Sequence, residues 1–207
     1  LPAFKAAVVE GKAGAVMCAY NAIDGVPACA NTALLQNRLR GRWGFDGVVV
    51  SDCAAVADFY LPTSHAYVKT PEEAMAAAFK ADTDLVCDFA ANGTADPQAT
   101  VRAVRQGLVS EREVDQALAR LFEARMRLGL FDPPAEVSWS RIARAEFDTP
   151  EHRALSLETA KKAMVLLKND GLLPLKAEPR RIAVIGPNAD SLDALVGNYN
   201  GTPSKPV

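Results

Sequence analysis

Histidine is scarce in this chain, with 2 among 207 residues, and the two, His65 and His152, lie far apart. No CxxC pair occurs either, so no convergent ligand set for zinc can be read and no metal is expected. Long apolar runs are missing too. Nothing approaches the ~20 residues of a membrane span, and the alanine-rich stretch Ala74 to Ala78 is far too short. Neither sign of charge dominates, since 23 Lys and Arg meet 25 Asp and Glu for a formal net charge of −2. There is thus no electrostatic reason to expect nucleic acid or an anionic membrane as partner. Only one glycine follows the apolar run Ile182-Ala183-Val184-Ile185-Gly186, with Pro187 next to it, so the GxGxxG fingerprint of a dinucleotide site is absent. No cofactor is expected. Internal repeats and low-complexity tracts are also missing. The chain opens on Leu1-Pro2 without an initiator Met or a signal peptide, and it reads as an internal piece of something longer.

What is present is ample apolar content, 49% of the chain, enough for one large or two small packed domains. Four cysteines fall in two contexts. Cys18 and Cys29 bracket a turn containing Tyr20-Asn21 and Gly25-Val26-Pro27, a loop short enough to fold back on itself and bring the two within the ~7 Å between Cα atoms that a bridge requires. Cys53 and Cys87 each follow an apolar strand, and the spacing leaves open whether they form a disulfide or remain two thiols. Asn92-Gly93-Thr94 and Asn200-Gly201-Thr202 fit the glycosylation acceptor pattern, which matters only in a eukaryotic secretory host.

Apolar periodicity alternates helix and strand. Helices are expected near residues 1–9, 32–39, 71–81, 97–106, 111–128 and 151–166, and strands near 15–19, 47–50, 84–87 and 182–186. Such alternation with short connections implies βα units and a parallel sheet. Helix starts are well signposted: Thr70-Pro71-Glu72-Glu73 and Ser110-Glu111-Arg112-Glu113 read as capping boxes, and Asp96-Pro97 and Thr149-Pro150 repeat the cap-then-proline pattern. Val114, Leu118, Leu121, Phe122 and Leu128 form an apolar stripe on the long helix closed by Gly129, and the stripe is expected to pack into the core.

The stretch Gly44-Phe45-Asp46-Gly47-Val48-Val49-Val50-Ser51-Asp52-Cys53 carries the chemistry. Three consecutive valines after a glycine-bounded turn read as a strand buried on both faces, and it stops at Ser51 and Asp52. Ligands of parallel α/β folds bind at the carboxyl ends of strands, so Asp52 has access to chemistry on a rigid scaffold. An Asp there also serves as a helix cap. A phospho-acceptor or magnesium site is disfavoured because no acidic cluster stands beside Asp52.

Seven strings in order, Met17-Cys18-Ala19-Tyr20-Asn21, Asp24 to Cys29, Leu39 to Gly47, Ser51-Asp52-Cys53, Leu128 to Asp132, Leu167 to Leu175 and Ile182 to Ala189, together resemble glycoside hydrolase family 3 over nearly the whole chain. The resemblance implies an α/β architecture in which residues 1–131 are the C-terminal part of a (β/α)8 TIM barrel, with five strands upstream. Residues 132–180 would be a linker with a helix, and 181–207 the start of an α/β sandwich domain. It further implies a glycoside hydrolase, a retaining exo-acting β-glycosidase, with Asp52 as nucleophile and Tyr20 bordering the sugar site. Cys18 and Cys29 would form the disulfide that members carrying both often have.

Cys53 directly after the nucleophile resembles the xylosidase-like branch of the family, where Cys follows in a Ser-Asp-Cys-Gly context, and it is read as substrate-binding. Ala54 in place of that glycine, and Val86 and Asp88 in Asp84-Leu85-Val86-Cys87-Asp88, are departures that keep β-glucosidase as the alternative. A non-catalytic carbohydrate-binding or structural paralogue is the alternative of another class. The partner implied is a β-linked oligosaccharide or aryl glycoside, and the location periplasmic or secreted. The family's general acid, a Glu of the second domain, finds no matching context among these residues, nor does its sugar-binding Lys-His pair, so this piece alone is expected to be inactive.

Overall fold

The computed structural model describes residues 1–87, 96, 98–176, 181–196 and 199–201, in two units, Leu1–Ile142 and Ala143–Val207. Asp88, Asn92-Gly93-Thr94, Pro97 and Thr202 lie outside the described residues, and with them part of the readings placed on those positions.

The first unit is an α/β assembly around a parallel pair. Helix α1, Pro2–Val9, with proline in its first turn, leads to β1, Ala15–Cys18. A two-residue hairpin, β2 Ala22–Ile23 and β3 Val26–Pro27, follows. Its turn residues Asp24 and Gly25 both have positive φ, 52° and 79°, the Asp-Gly chemistry that tight hairpins favour. A helix over Ala33–Arg42 then crosses to β4, Val48–Ser51, which lies parallel to β1 in the register Ala15↔Val48 to Cys18↔Ser51. This crossover helix is wound as a π-helix, and its start is capped by Asn31, whose side-chain oxygen accepts the Leu34 N–H at 2.9 Å.

Helix α2, Pro71–Lys80, carries the chain to residues 84–87, where in place of the expected strand a single bridge at Leu85 joins β4 on its other side. Val50 bridges Leu85 in parallel, the Leu85 N–H donates to the Val49 carbonyl, and the Ser51 N–H donates to the Leu85 carbonyl. The valine strand is therefore the middle one, and Val49 is fully buried. Buried Ala74, Ala76 and Ala78 let α2 approach its neighbours closely, among them α3, Ala99–Arg105. Helix α4, Glu111–Arg127, follows, and a 3-10 turn over Ser138–Arg141 lies near the end of the unit. The capping boxes expected at Thr70 and Ser110 are formed. Asp96 does not cap α3: its carboxylate accepts the Gln98 N–H and pairs with Arg102, and the helix starts at Ala99.

The α4 stripe departs from expectation. Val114 packs on the small cluster of Ala76, Ala103 and Val109, but Leu118, Phe122 and Leu128 are exposed, and of the whole helix only Ala117 is buried. The buried side of the helix runs through Ala117 and Arg120, a turn apart, with Arg120 paired to Asp84, and the bulky stripe lies to one side of it.

A buried ion network closes the amino end of the sheet. Asp84 accepts from Arg40 at 2.6 Å, from Arg120 at 2.8 Å and from the Val49 N–H at 2.8 Å. Burial works against the charge on Arg120, and its hydrogen bond and attraction to Asp84 outweigh that, so its pKa lies above the ordinary value.

In the second unit, α5 spans Pro150–Ala163, opened by Thr149 in a reciprocal cap with His152, and α6 spans Leu192–Val196. The strand expected at 182–186 is not formed among the described residues. A strand exists only through a hydrogen-bonded neighbour, and the apolar pattern of Ile182 to Ile185 finds none there.

Candidate active site

Parallel pairing in register puts the ends of β1 and β4 side by side, so the residues just beyond Cys18 and Ser51 share one rim. Asp52 begins there on β4: its N–H donates to the Cys18 carbonyl at 2.9 Å, the last rung of the ladder. The half-buried carboxylate accepts the Cys53 N–H at 2.8 Å, and the Asp52 carbonyl accepts from Ala55, which turns the chain away from the strand. Asp52 thus holds its own loop while remaining open on one side.

Tyr20 reaches the same place from β1. Its hydroxyl donates to the Cys53 carbonyl at 2.5 Å, next to Asp52 in the chain. Its own carbonyl lies 2.6 Å from Nε2 of His65, on the loop that follows β4. The ring is partly exposed at the rim.

Two disulfides fix the strand ends beneath these side chains. Cys18 is bonded to Cys29, with Cα atoms 5.2 Å apart, which ties the end of β1 to the turn after the hairpin. Cys53 is bonded to Cys87, with Cα atoms 4.4 Å apart, and ties the Asp52 loop to the segment just beyond the Leu85 bridge. Around the second bridge the Ser51 Oγ accepts the Cys87 N–H and the Ala54 N–H donates to the Cys87 carbonyl. Buried Thr83 donates its hydroxyl to the Cys29 carbonyl at 2.8 Å, linking the two braced regions. The rim is covalently and sterically rigid, the condition for holding a reacting carboxylate in place. An apolar hollow of about 240 Å³ between α1, β1 and the π-helix, lined by Phe4, Met17, Leu35 and Trp43 among others, reaches neither Asp52 nor Tyr20 and offers no carboxylate.

The sequence profile described as "Glycosyl hydrolase family 3 N terminal domain" matches residues 1–124, more than half of the chain. The chain belongs to glycosyl hydrolase family 3. The profile of the family 3 C-terminal domain matches residues 164–207. Among curated relatives, a probable β-D-xylosidase 7 of Arabidopsis thaliana is 43% identical over 209 residues, covering 100% of this chain and 26% of the relative. A xylan 1,4-β-xylosidase of Xylanibacter ruminicola is also 43% identical, over 100% of this chain and 24% of its own length. Of solved family 3 structures, an exo-β-xylosidase in complex with a xylobiose aziridine activity-based probe superposes with a TM-score of 0.82 at 33% identity, covering 98% of this chain and 26% of that one. A β-glucosidase from Listeria innocua in complex with isofagomine gives 0.75 at 33% identity, over 97% of this chain and 27% of that one. The chain spans about a quarter of the length of these family 3 proteins.

Asp52, Tyr20 and Cys53, the residues expected at the sugar site, lie together at this rim, and His65 joins them through the Tyr20 carbonyl. No local signal marks His65, since its partner lies 45 residues away.

Proposed function

We propose that this chain supplies the nucleophile side of the active site of a retaining, exo-acting β-glycosidase with a β-xyloside-type substrate. Asp52 is the nucleophile, attacking the anomeric carbon, and Tyr20 and Cys53 border the sugar. The observation that carries this reading is a half-buried carboxylate at the carboxyl end of the central parallel strand, beside a tyrosine hydroxyl fixed on the adjacent carbonyl. Two carboxyl groups about 5 to 5.5 Å apart are needed for retention, and the second, the general acid, is to come from a part of the protein that these residues do not include. In this reading residues 1–131 are the last part of a (β/α)8 barrel, 132–180 the linker and 181–207 the start of the sandwich domain. The substrate is a β-linked oligosaccharide or aryl glycoside, and the protein acts in the periplasm or outside the cell, where its two disulfides persist.

A β-glucosidase of the same family is the second reading. The departures at Ala54 and Val86 and the likeness to the Listeria innocua enzyme favour it. Comparing turnover of aryl β-xyloside and aryl β-glucoside separates the two.

The test uses the protein made from the complete reading frame. Asp52→Asn keeps an oxygen to accept the Cys53 N–H, so the fold is expected to persist while turnover is lost, because an amide cannot form the glycosyl-enzyme intermediate. Each ~1.4 kcal/mol of lost transition-state stabilisation is a tenfold loss in rate. Asp52→Gly with added azide is expected to regain activity and release a glycosyl azide of inverted configuration. Near-normal turnover by the Asn variant returns Asp52 to a structural role in its loop.

A further inference from the structure

We propose that His65 is a positioning residue for Tyr20, holding it at the rim through its backbone. This deepens the reading of Asp52 and Tyr20 as the sugar site and rests on it. A carbonyl only accepts, so the 2.6 Å contact requires Nε2 of His65 to carry the proton and donate. With the Tyr20 hydroxyl on the Cys53 carbonyl at 2.5 Å, the tyrosine is gripped at both ends by the segment that follows β4. One grip sets where its backbone leaves β1, and the other sets where its ring ends. Each links the β1 loop to the Asp52 loop, so the distance between tyrosine and carboxylate no longer depends on a side-chain rotamer alone.

His65 is itself held well enough to do this. Its N–H donates to the Asp58 carbonyl at 3.1 Å, and the N–H groups of Tyr67 and Val68 donate to the Phe59 carbonyl at 2.7 and 3.1 Å. Phe59 is 1% exposed, with the Tyr67 ring edge-on at 6.5 Å between centroids. The loop is thus pinned to the core on both sides of the histidine. Ala66, immediately after it, stands at φ 46°, a left-handed conformation that costs energy for an alanine and turns the chain back after His65 has reached inward. The imidazole is half-buried, so its bond competes with water less than a fully exposed one.

Geometry distinguishes this role from general polarity. The side-chain nitrogen of glutamine sits where Nε2 of histidine does, and that of asparagine is one bond too short. In the protein from the complete reading frame, kcat and KM are measured on whichever aryl β-glycoside the wild type turns over faster. Variants are His65→Ala, His65→Gln, His65→Asn, Tyr20→Ala and the double variant Tyr20→Ala with His65→Ala. His65→Ala is expected to raise KM about fivefold with a smaller change in kcat, the scale of one lost hydrogen bond. His65→Gln is expected to recover most of that loss and His65→Asn none. In the Tyr20→Ala background, His65→Ala is expected to add almost nothing, because the side chain it positions is already gone. A glutamine variant as impaired as the alanine one, or an unchanged effect of His65→Ala in the Tyr20→Ala background, overturns the proposal. Asp52→Asn is assayed alongside: if it retains turnover the site reading fails and His65 falls with it, whereas a dead Asn variant beside a wild-type-like His65→Ala removes only the role of His65.

Discussion

Asp84 shows how a single residue can decide the scaffold of a site it never touches. It is buried just before the Leu85 bridge, opposite the rim, and with Asp82 it faces two guanidinium groups while accepting the Val49 N–H. Asp84→Ala leaves Arg40 and Arg120 with the more distant, partly exposed carboxylate of Asp82 as their remaining shared partner. Removing one member of such a pair typically costs about 3 to 5 kcal/mol. Denaturant unfolding is expected to show a loss approaching that size, and a loss below about 1 kcal/mol would mean that Asp82 alone satisfies both arginines. At the other end of the strands the carboxylate of Asp52 accepts, among the described residues, only the Cys53 N–H of its own loop, so Asp52→Asn is expected to leave the unfolding midpoint nearly unchanged. The two aspartates thus separate stability from chemistry along one sheet.

Helix ends and a close approach of backbones decide the behaviour of the elements. In the capping box of α4, the Glu113 carboxylate accepts the Ser110 N–H at 2.8 Å and the Ser110 hydroxyl at 2.7 Å, and these bonds hold its pKa below the ordinary carboxylate range. A pKa lowered by folding gives stability that is present above the unfolded value near ~4.3 and is lost as pH falls through the folded value. Glu113→Gln keeps a hydrogen-bonding side chain without the titration, so its melting temperature is expected to fall less steeply than the wild type's below about pH 4. Parallel acid curves for the two would remove Glu113 from the acid response. Gly47, just before β4, has no room for a side chain: a Cβ there would sit 2.2 Å from the Gly14 carbonyl oxygen, which also accepts the Val48 N–H. Gly47→Ala must push β1 and β4 apart at their start, and a loss of about 1 to 3 kcal/mol is expected by thermal unfolding. Full stability of that variant would show that the two backbones can separate freely.

At the scale of the whole chain, two covalent bridges close loops of 11 and 34 residues around the rim. In the chain-entropy account such loops stabilise by about 3 and 4 kcal/mol. Non-reducing peptide mapping is expected to recover Cys18 with Cys29 and Cys53 with Cys87 and no crossed pair, and a dithiol reductant is expected to lower the melting temperature. Crossed pairs would contradict the packing of the strand ends. The sequence by itself determined what depends on neighbours a few residues away. The triple valine made a buried strand, Thr70 and Ser110 made capping boxes, and Asp52 was set at a strand end. Only the tertiary structure decided what depends on residues far apart. It bonded Cys53 to Cys87, where spacing had left two thiols open, and it brought His65 to the Tyr20 carbonyl. It also exposed Leu118, Phe122 and Leu128 of a helix whose stripe read as core, and left Ile182 to Ile185 without a ladder. Capping, turn and periodicity rules act through the local backbone, whereas pairing and burial depend on which surface arrives opposite, and that is set by register and packing across the molecule.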